Sequence, residues 1–186
     1  MKYVGALDQG TTSTRFILFD HTGTICASHQ IEHEQIFVQP GWVEHDPDEI
    51  WRNSVEAIRQ TMRKARAHAK DIAGIGITNQ RETIIAWEPD TGVIRHNAIV
   101  WQDLRGADLI ETLKKRPDIT ELQKRSGLIP SPYFSASKIA WMLDHVDHLK
   151  EDAQSGKVVF GTVDSFLVWH LTGGPGKGAV VTDVTN

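Results

Sequence analysis

The sequence has few of the features that tie a protein to an oxidising compartment, a membrane or a nucleic acid. Cys26 is its only cysteine, so no internal disulfide can form and a reducing compartment is expected. No apolar run approaches the ~20 residues of a membrane-spanning helix, and the first residues lack the apolar segment of a signal peptide. The net charge is -4 and the longest basic run, 114–116, is short, which argues against nucleic-acid or membrane-surface binding. We therefore predict a cytoplasmic protein without nucleic-acid or membrane partners.

The 186 residues, 40% of them apolar, are enough to build one packed domain. Apolar runs predict three leading antiparallel strands, at 3–7, 16–19 and 24–34. Asp46 and Pro47 are typical of a helix start, and helical spacing extends this helix to about Ala69. The almost continuous apolar stretch from Ile72 to Thr78 predicts a parallel strand that is buried on both faces, with the helix as its crossover.

The second half of the chain alternates short strands and helices. The turn residues at 88–92 predict a second hairpin, and Gly127 ends a predicted helix. The remaining predicted elements are a strand at 98–100, helices at 105–115, 119–126 and 137–144 with Ser135 or a neighbour as its cap, a strand at 157–161 and a helix from a Thr162 cap to 171. These elements indicate an α/β domain with a mixed sheet.

The polar insert between the first two strands is richer than a turn requires. Gly10 permits either a positive φ or close approach of a ligand to the main chain. The backbone N–H groups of such a turn can bind an anion, and hydroxyls and a guanidinium would add donors: Thr11, Thr12, Ser13 and Arg15. Asp8 could hold a hard cation. From spacing alone, a hydrophilic loop whose hydroxyls satisfy their own backbone explains the same residues.

A second group of candidates follows predicted strands. Arg81 and Glu82 come just after the strand that ends at Thr78, and Trp101 follows the strand at 98–100. The ends of strands commonly build a ligand crevice, and Tyr133 lies in a proline-bracketed loop. Taken singly, the two charges could form a solvated pair, and the two aromatic side chains could be ordinary core residues.

The run from Leu7 to Arg15 resembles the first phosphate loop of the sugar and polyol kinases, whose nucleotide-binding domains have the ribonuclease H-like core of actin and hexokinase. Within that family the whole chain most closely resembles the glycerol kinases. The resemblance implies that the loop binds the phosphates of ATP and that Asp8 takes part in Mg²⁺ binding. It also implies that Arg81 and Glu82 bind glycerol hydroxyls and that Trp101 and Tyr133 line the substrate pocket.

The expected activity is therefore ATP-dependent phosphorylation of glycerol to glycerol 3-phosphate. Glycerol kinases are longer, two-domain proteins, so we expect residues 1–186 to be an incomplete amino-terminal domain, inactive alone, and the complete enzyme to be a possible homo-oligomer. The catalytic base is expected beyond Asn186, because a Glu82 paired with Arg81 would be a poor base. Alternatives are a kinase for another small polyol or sugar, and a noncatalytic actin-like ligand-binding module.

Overall fold

A computed structural model describes residues 2–186, which form an α/β fold with two four-stranded sheets. The strands are β1 (Tyr3–Gln9), β2 (Ser13–Phe19), β3 (Ile25–Glu32), β4 (Glu44–His45), β5 (Ile72–Asn79), β6 (Ile84–Trp87), β7 (Ile94–Ile99) and β8 (Val159–Thr162). The α-helices are α1 (Pro47–Ala65), α2 (Ala107–Lys114), α3 (Ile119–Ser126), α4 (Ser135–His145), α5 (Leu149–Gln154) and α6 (Val163–Leu171), and a short 3-10 helix spans Ala69–Asp71.

The first sheet is mixed, in the order β3-β2-β1-β5. The chain folds back from β1 to β2 to β3 in antiparallel pairs and then crosses through α1 to reach β5, which is parallel to β1. Alternate residues Leu7, Phe16 and Leu18 point to one face, where they are buried with Ile50 and Ala57 of α1. The predicted meander and crossover helix are therefore confirmed.

The burial predicted for β5 is wrong. Its residues are exposed or half-buried, and Ile75 has 41% of its surface accessible. A Cβ added to Gly74 or Gly76 would meet nothing within 4 Å. Within residues 2–186, β5 pairs along one edge only, with β1. An apolar composition does not reveal whether another element covers a strand.

The second sheet is antiparallel, in the order β4-β7-β6-β8. All four residues of β6 are buried, and Trp87 packs against Phe166 and Trp169 of α6. The predicted hairpin at 88–92 is present, but the strand predicted at 98–100 is the end of β7. Because Ile84 of β6 pairs with Ile99 of β7, the residues between β5 and β6 lie close to the residues that follow β7.

Several helix boundaries differ from the prediction. Asp46 caps α1 as expected, since its carboxylate accepts from Asp48 N at 2.9 Å. The helix ends at Ala65 rather than Ala69, because Arg66 turns into the left-handed region with φ 50°. Helix α4 begins at Ser135, and the residue at its cap position is Phe134, which supplies no side-chain cap. Among the described helices, none is long and apolar enough to cross a membrane.

Candidate active site

The tip between β1 and β2 is a turn whose carbonyl groups are held from outside. Gly10 N donates to Ser13 O at 2.9 Å, closing the turn without a positive φ at Gly10. The carbonyl of Thr11 accepts from Gln35 Nε2 at 2.9 Å, and that of Thr12 accepts from His33 N at 3.2 Å. In the described part of the chain, the Thr11 and Thr12 N–H groups have no acceptor. This arrangement leaves two backbone donors for an anion.

Three of the predicted phosphate and metal residues share the face of the sheet that is opposite α1. Asp8 and Arg15 are direct partners across β1 and β2, and Ser13 lies on the same face of β2. Gln30 orders this group, because it accepts from Arg15 Nε at 2.9 Å and donates to Ser13 Oγ at 3.0 Å. Thr14 points the other way and is buried. The open face therefore carries one carboxylate, one guanidinium and one hydroxyl.

Asp8 is exposed, and its carboxylate has no hydrogen-bond or ion-pair partner among residues 2–186. No group of three His, Cys, Asp or Glu residues that could hold a metal by itself occurs in this range. A single carboxylate nevertheless suits Mg²⁺, which usually keeps several waters and is shared between one or two carboxylates and substrate phosphates. The donor set fits a nucleotide-bound cation rather than a protein-enclosed one.

The structure brings Arg81, Trp101 and Tyr133 together. They line a cleft of about 190 Å³ with Asn79 and Gln80. The rings of Trp101 and Tyr133 meet edge to face, with centroids 5.6 Å apart. The guanidinium of Arg81 is exposed and forms no ion pair within the described residues. The cleft thus combines an aromatic wall with a cationic donor and two amides, a combination that suits a small polyhydroxylated molecule.

The position of Glu82 differs from the expectation that it pairs with Arg81. It does not line the cleft of Arg81, and no ion pair joins these two side chains in the structure described for residues 2–186. Its carboxylate Oε2 instead accepts from Ser135 N and Ser135 Oγ, both at 2.8 Å. The expectation that Arg81 is its partner is therefore wrong. Glu82 also has φ 68°, a left-handed conformation that is uncommon for a residue with a side chain.

Direct hydrogen bonds connect the tip with the cleft. Trp101 Nε1 donates to Thr11 Oγ1 at 2.9 Å. Gln80 Nε2 donates to Gln9 Oε1 at 3.0 Å and to Gly10 O at 3.2 Å. The cleft and the tip are therefore neighbouring parts of one site.

A buried histidine completes this network. His45 Nδ1 accepts from Gln80 Nε2 at 3.2 Å, and its Nε2 donates to Gln35 Oε1 at 2.9 Å. Both bonds require a neutral imidazole, because a proton on Nδ1 would face the amide donor of Gln80. Burial, reinforced by the neighbouring His33, lowers the pKa of His45 to about 3. The tip is thus held by uncharged groups.

The loop that carries Trp101 is fixed by a buried ion cluster. Asp103 accepts from Val43 N at 2.6 Å and from Arg105 Nη2 at 2.9 Å, and Glu44 accepts from the same nitrogen at 2.8 Å. The guanidinium carbon of Arg105 lies 4.1 Å from the ring centroid of Trp42 and 4.6 Å from that of Trp141. The residues after Trp101 therefore support the loop.

Sequence reasoning missed four residues that organise this site: Gln80, His45, Ser135 and the buried Lys138, whose ammonium donates to the main-chain carbonyls of Pro132 and Tyr133. Gln80 adjoins Arg81, so its position after β5 was the one available signal. His45 and Ser135 gain their roles from partners far along the chain, and a lysine within a helix gives no sign that it is buried.

Comparison with known proteins bears directly on this arrangement. Residues 3–186 match the model of the FGGY family of carbohydrate kinases, N-terminal domain. The chain belongs to the FGGY family of carbohydrate kinases. The predicted ribonuclease H-like α/β fold and the predicted family are therefore confirmed.

FGGY relatives with curated names include glycerol kinases. The chain is 55% identical to the glycerol kinase of Methylorubrum extorquens over 183 residues. This alignment covers 98% of the chain and 36% of that protein. It is 50% identical over 185 residues to the glycerol kinase of Brucella anthropi, covering 100% of itself and 37% of the relative. The chain thus spans little more than a third of these proteins.

Solved structures of two kinases have the same fold. Glycerol kinase of Plasmodium falciparum with ADP matches with a TM-score of 0.85 and 35% identity over 92% of this chain and 34% of that one. Xylulose kinase of Rhodospirillum rubrum matches with a TM-score of 0.82 and 25% identity over 98% and 36% of the two chains.

Proposed function

We propose that the complete protein containing this chain is a glycerol kinase, which transfers the γ-phosphoryl group of ATP to a terminal hydroxyl of glycerol. The observation that carries this proposal is the cleft of Arg81, Trp101 and Tyr133, joined to the tip through the bond from Trp101 Nε1 to Thr11 Oγ1. The similarity to curated glycerol kinases supports it.

In this proposal the tip binds the phosphates of ATP. The N–H groups of Thr11 and Thr12 and the hydroxyls of Thr12 and Ser13 donate to phosphate oxygens. Arg15 adds a positive charge on the same side, and Gly10 leaves room for the nucleotide. Asp8 would hold Mg²⁺ directly or through a bound water, and the bound cation would supply positive charge beside the phosphates.

The cleft binds and orients the acceptor. Arg81 donates to glycerol hydroxyls, and the rings of Trp101 and Tyr133 contact the carbon chain. Glu82 does not line this cleft, and its part is to cap α4 directly after the loop that carries Tyr133. Because phosphoryl transfer depends mainly on positioning and charge stabilisation, holding the hydroxyl in line with the γ-phosphate is the chief task of these residues.

We place the base that accepts the hydroxyl proton outside residues 1–186. Glu82 does not line the cleft, and one of its carboxylate oxygens is occupied by two hydrogen bonds from Ser135, so it is not positioned to accept this proton. The chain alone is then expected to bind ligands without turnover. A measurable rate of glycerol phosphorylation by the purified 186-residue chain would contradict this placement of the base.

The test is an assay of the complete protein with Mg-ATP and a panel of acceptors. We expect glycerol to give the highest kcat/KM, and xylulose and gluconate to give at least ~100-fold less, because a longer acceptor does not fit the cleft of about 190 Å³ with its terminal hydroxyl in line with the γ-phosphate. A higher kcat/KM for a sugar would favour the second candidate, a kinase for another small polyol or sugar. Binding of ATP without phosphorylation of any acceptor would favour the noncatalytic ligand-binding module.

A further inference from the structure

The side chain of Lys138, in the first turns of α4, is completely buried. Its ammonium donates to the main-chain carbonyl of Pro132 at 3.1 Å and to that of Tyr133. It forms no ion pair within the described residues, so these carbonyls are its polar partners there. Burying an ammonium without a paired carboxylate is costly, which calls for an explanation beyond helix packing.

The electrostatic surroundings keep Lys138 charged at neutral pH. Burial lowers its pKa to about 8, while the negative charges of Glu82 and Asp103 act in the opposite direction. The bonds to the two carbonyls are therefore charge-assisted, which makes them shorter and stronger than bonds between neutral groups. Lys138 thus fixes the backbone immediately around Tyr133.

Tyr133 depends on this support because its side chain has little packing of its own. The residue is 41% exposed, and its ring contacts Trp101 and Phe134 edge to face. Within residues 2–186, its phenol oxygen has no hydrogen-bond partner. The position of the ring in the cleft is consequently set by the main chain that Lys138 holds.

The same end of α4 holds Glu82. Phe134 offers no side-chain cap, and the carboxylate of Glu82 takes that role by accepting from Ser135 N and Ser135 Oγ at 2.8 Å. An ionised carboxylate is favoured at a helix N-terminus. These bonds fix the side chain of Glu82 and also cap the N-terminus of α4.

We propose that Lys138 and Ser135 are positioning residues for the acceptor, which fix the main chain at the start of α4 and thereby hold Tyr133 in the cleft. This inference rests on the proposed function, because it assigns the cleft to the acceptor. A purely structural role would instead affect the stability of the fold and leave acceptor recognition unchanged.

The first test is Lys138→Met in the complete protein, since methionine keeps much of the stem and removes the ammonium. We expect the KM for glycerol to rise by at least ~10-fold, the loss of one charged hydrogen bond, while the KM for ATP stays within about two-fold. Lys150→Met is the matched control, because Lys150 is exposed on α5. An unchanged glycerol KM in a folded Lys138→Met protein would overturn the proposal.

Ser135→Ala keeps the proposal testable if Lys138→Met does not fold. It removes the bond from Oγ to Glu82 and leaves the bond from the backbone N–H. We expect the KM for glycerol to rise about three- to ten-fold and Ser135→Thr, which retains a hydroxyl, to restore it. If Ser135→Ala raised the KM for ATP by the same factor, or if threonine restored nothing, positioning of the acceptor would be the wrong explanation.

Amide hydrogen exchange separates a failure of this inference from a failure of the proposed function. If the wild-type protein does not phosphorylate glycerol, the proposed function fails, but exchange at Tyr133 and Ser135 can still be measured. Faster exchange at these amides in Lys138→Met than in Lys150→Met would support the lock. Equal exchange in the two variants would overturn it, whatever the substrate.

Discussion

The two halves of the site are held in opposite ways. Neutral groups hold the tip between β1 and β2, where the side chains of Gln80, Gln35 and His45 share their hydrogen bonds. Charged groups hold the loop of Tyr133, where Lys138 binds two carbonyls and Glu82 caps α4. The difference suits the ligands proposed for each half, because a triphosphate brings its own charge whereas a neutral polyol must be bound by charges of the protein.

The largest effect is expected at Asp8, whose carboxylate has no hydrogen-bond or ion-pair partner in the described chain. Asp8→Asn should lower kcat of the complete protein by ~10²–10³-fold, because the charge that holds the cation during transfer is lost. Its melting temperature should not change. Asp90→Asn, at another exposed aspartate, is the control. A normal kcat in Asp8→Asn would show that Asp8 does not hold the cation.

Arg81 and Arg15 should each affect the binding of a different ligand. Arg81→Ala should weaken glycerol binding by about 1.5–3 kcal/mol, the usual value of a hydrogen bond to a charged group, and leave ATP binding almost unchanged. Arg15→Ala should do the reverse. Calorimetry with each ligand separates these outcomes, and equal losses of both ligands in Arg81→Ala would exclude it from the acceptor cleft.

Low pH should reduce the stability of the fold through the buried His45, which belongs to the network of neutral groups at the tip. The pKa of His45 is about 3 in the folded protein and about 6.5 in an unfolded chain. Between these values the unfolded chain binds a proton that the folded protein excludes, so the contribution of His45 to the free energy of unfolding falls as the pH drops from about 6.5 towards 3, by at most ~1.4 kcal/mol per pH unit.

The measurement is denaturant unfolding at several pH values in wild type and His45→Gln. Burial also lowers the pKa values of His33 and His170, so the wild-type slope contains their protons too. In His45→Gln, the slope of the free energy of unfolding against pH should be smaller by the contribution of up to one proton. Identical slopes in both proteins would show that His45 is protonated in the folded state.

The smallest effect is expected where the halves meet. Trp101→Phe keeps an aromatic wall and removes the bond from Nε1 to Thr11 Oγ1. We expect a loss of about 1 kcal/mol, or ~5-fold, in the binding of both ligands, because the bond serves both halves. A loss confined to glycerol would mean that the bond does not order the tip.

Local signals predicted most of the fold. Asp46 and Pro47 marked the start of α1, Gly127 marked the end of α3, and the polar insert marked the tip. Those features depend on near neighbours in the chain. The exposure of β5 and the partner of Glu82 were predicted wrongly, because each depends on what lies beside it in space. Ser135, for example, is 53 positions from Glu82.

The open edge of β5 also affects how the 186-residue chain should be handled. Its eight residues include no charge, and an uncharged strand with unpaired backbone groups readily joins another strand. We expect the isolated chain to self-associate as its concentration rises, so ligand titrations need light scattering alongside them. A lysine at Ile75, which is already exposed, is the substitution that should keep such samples monodisperse.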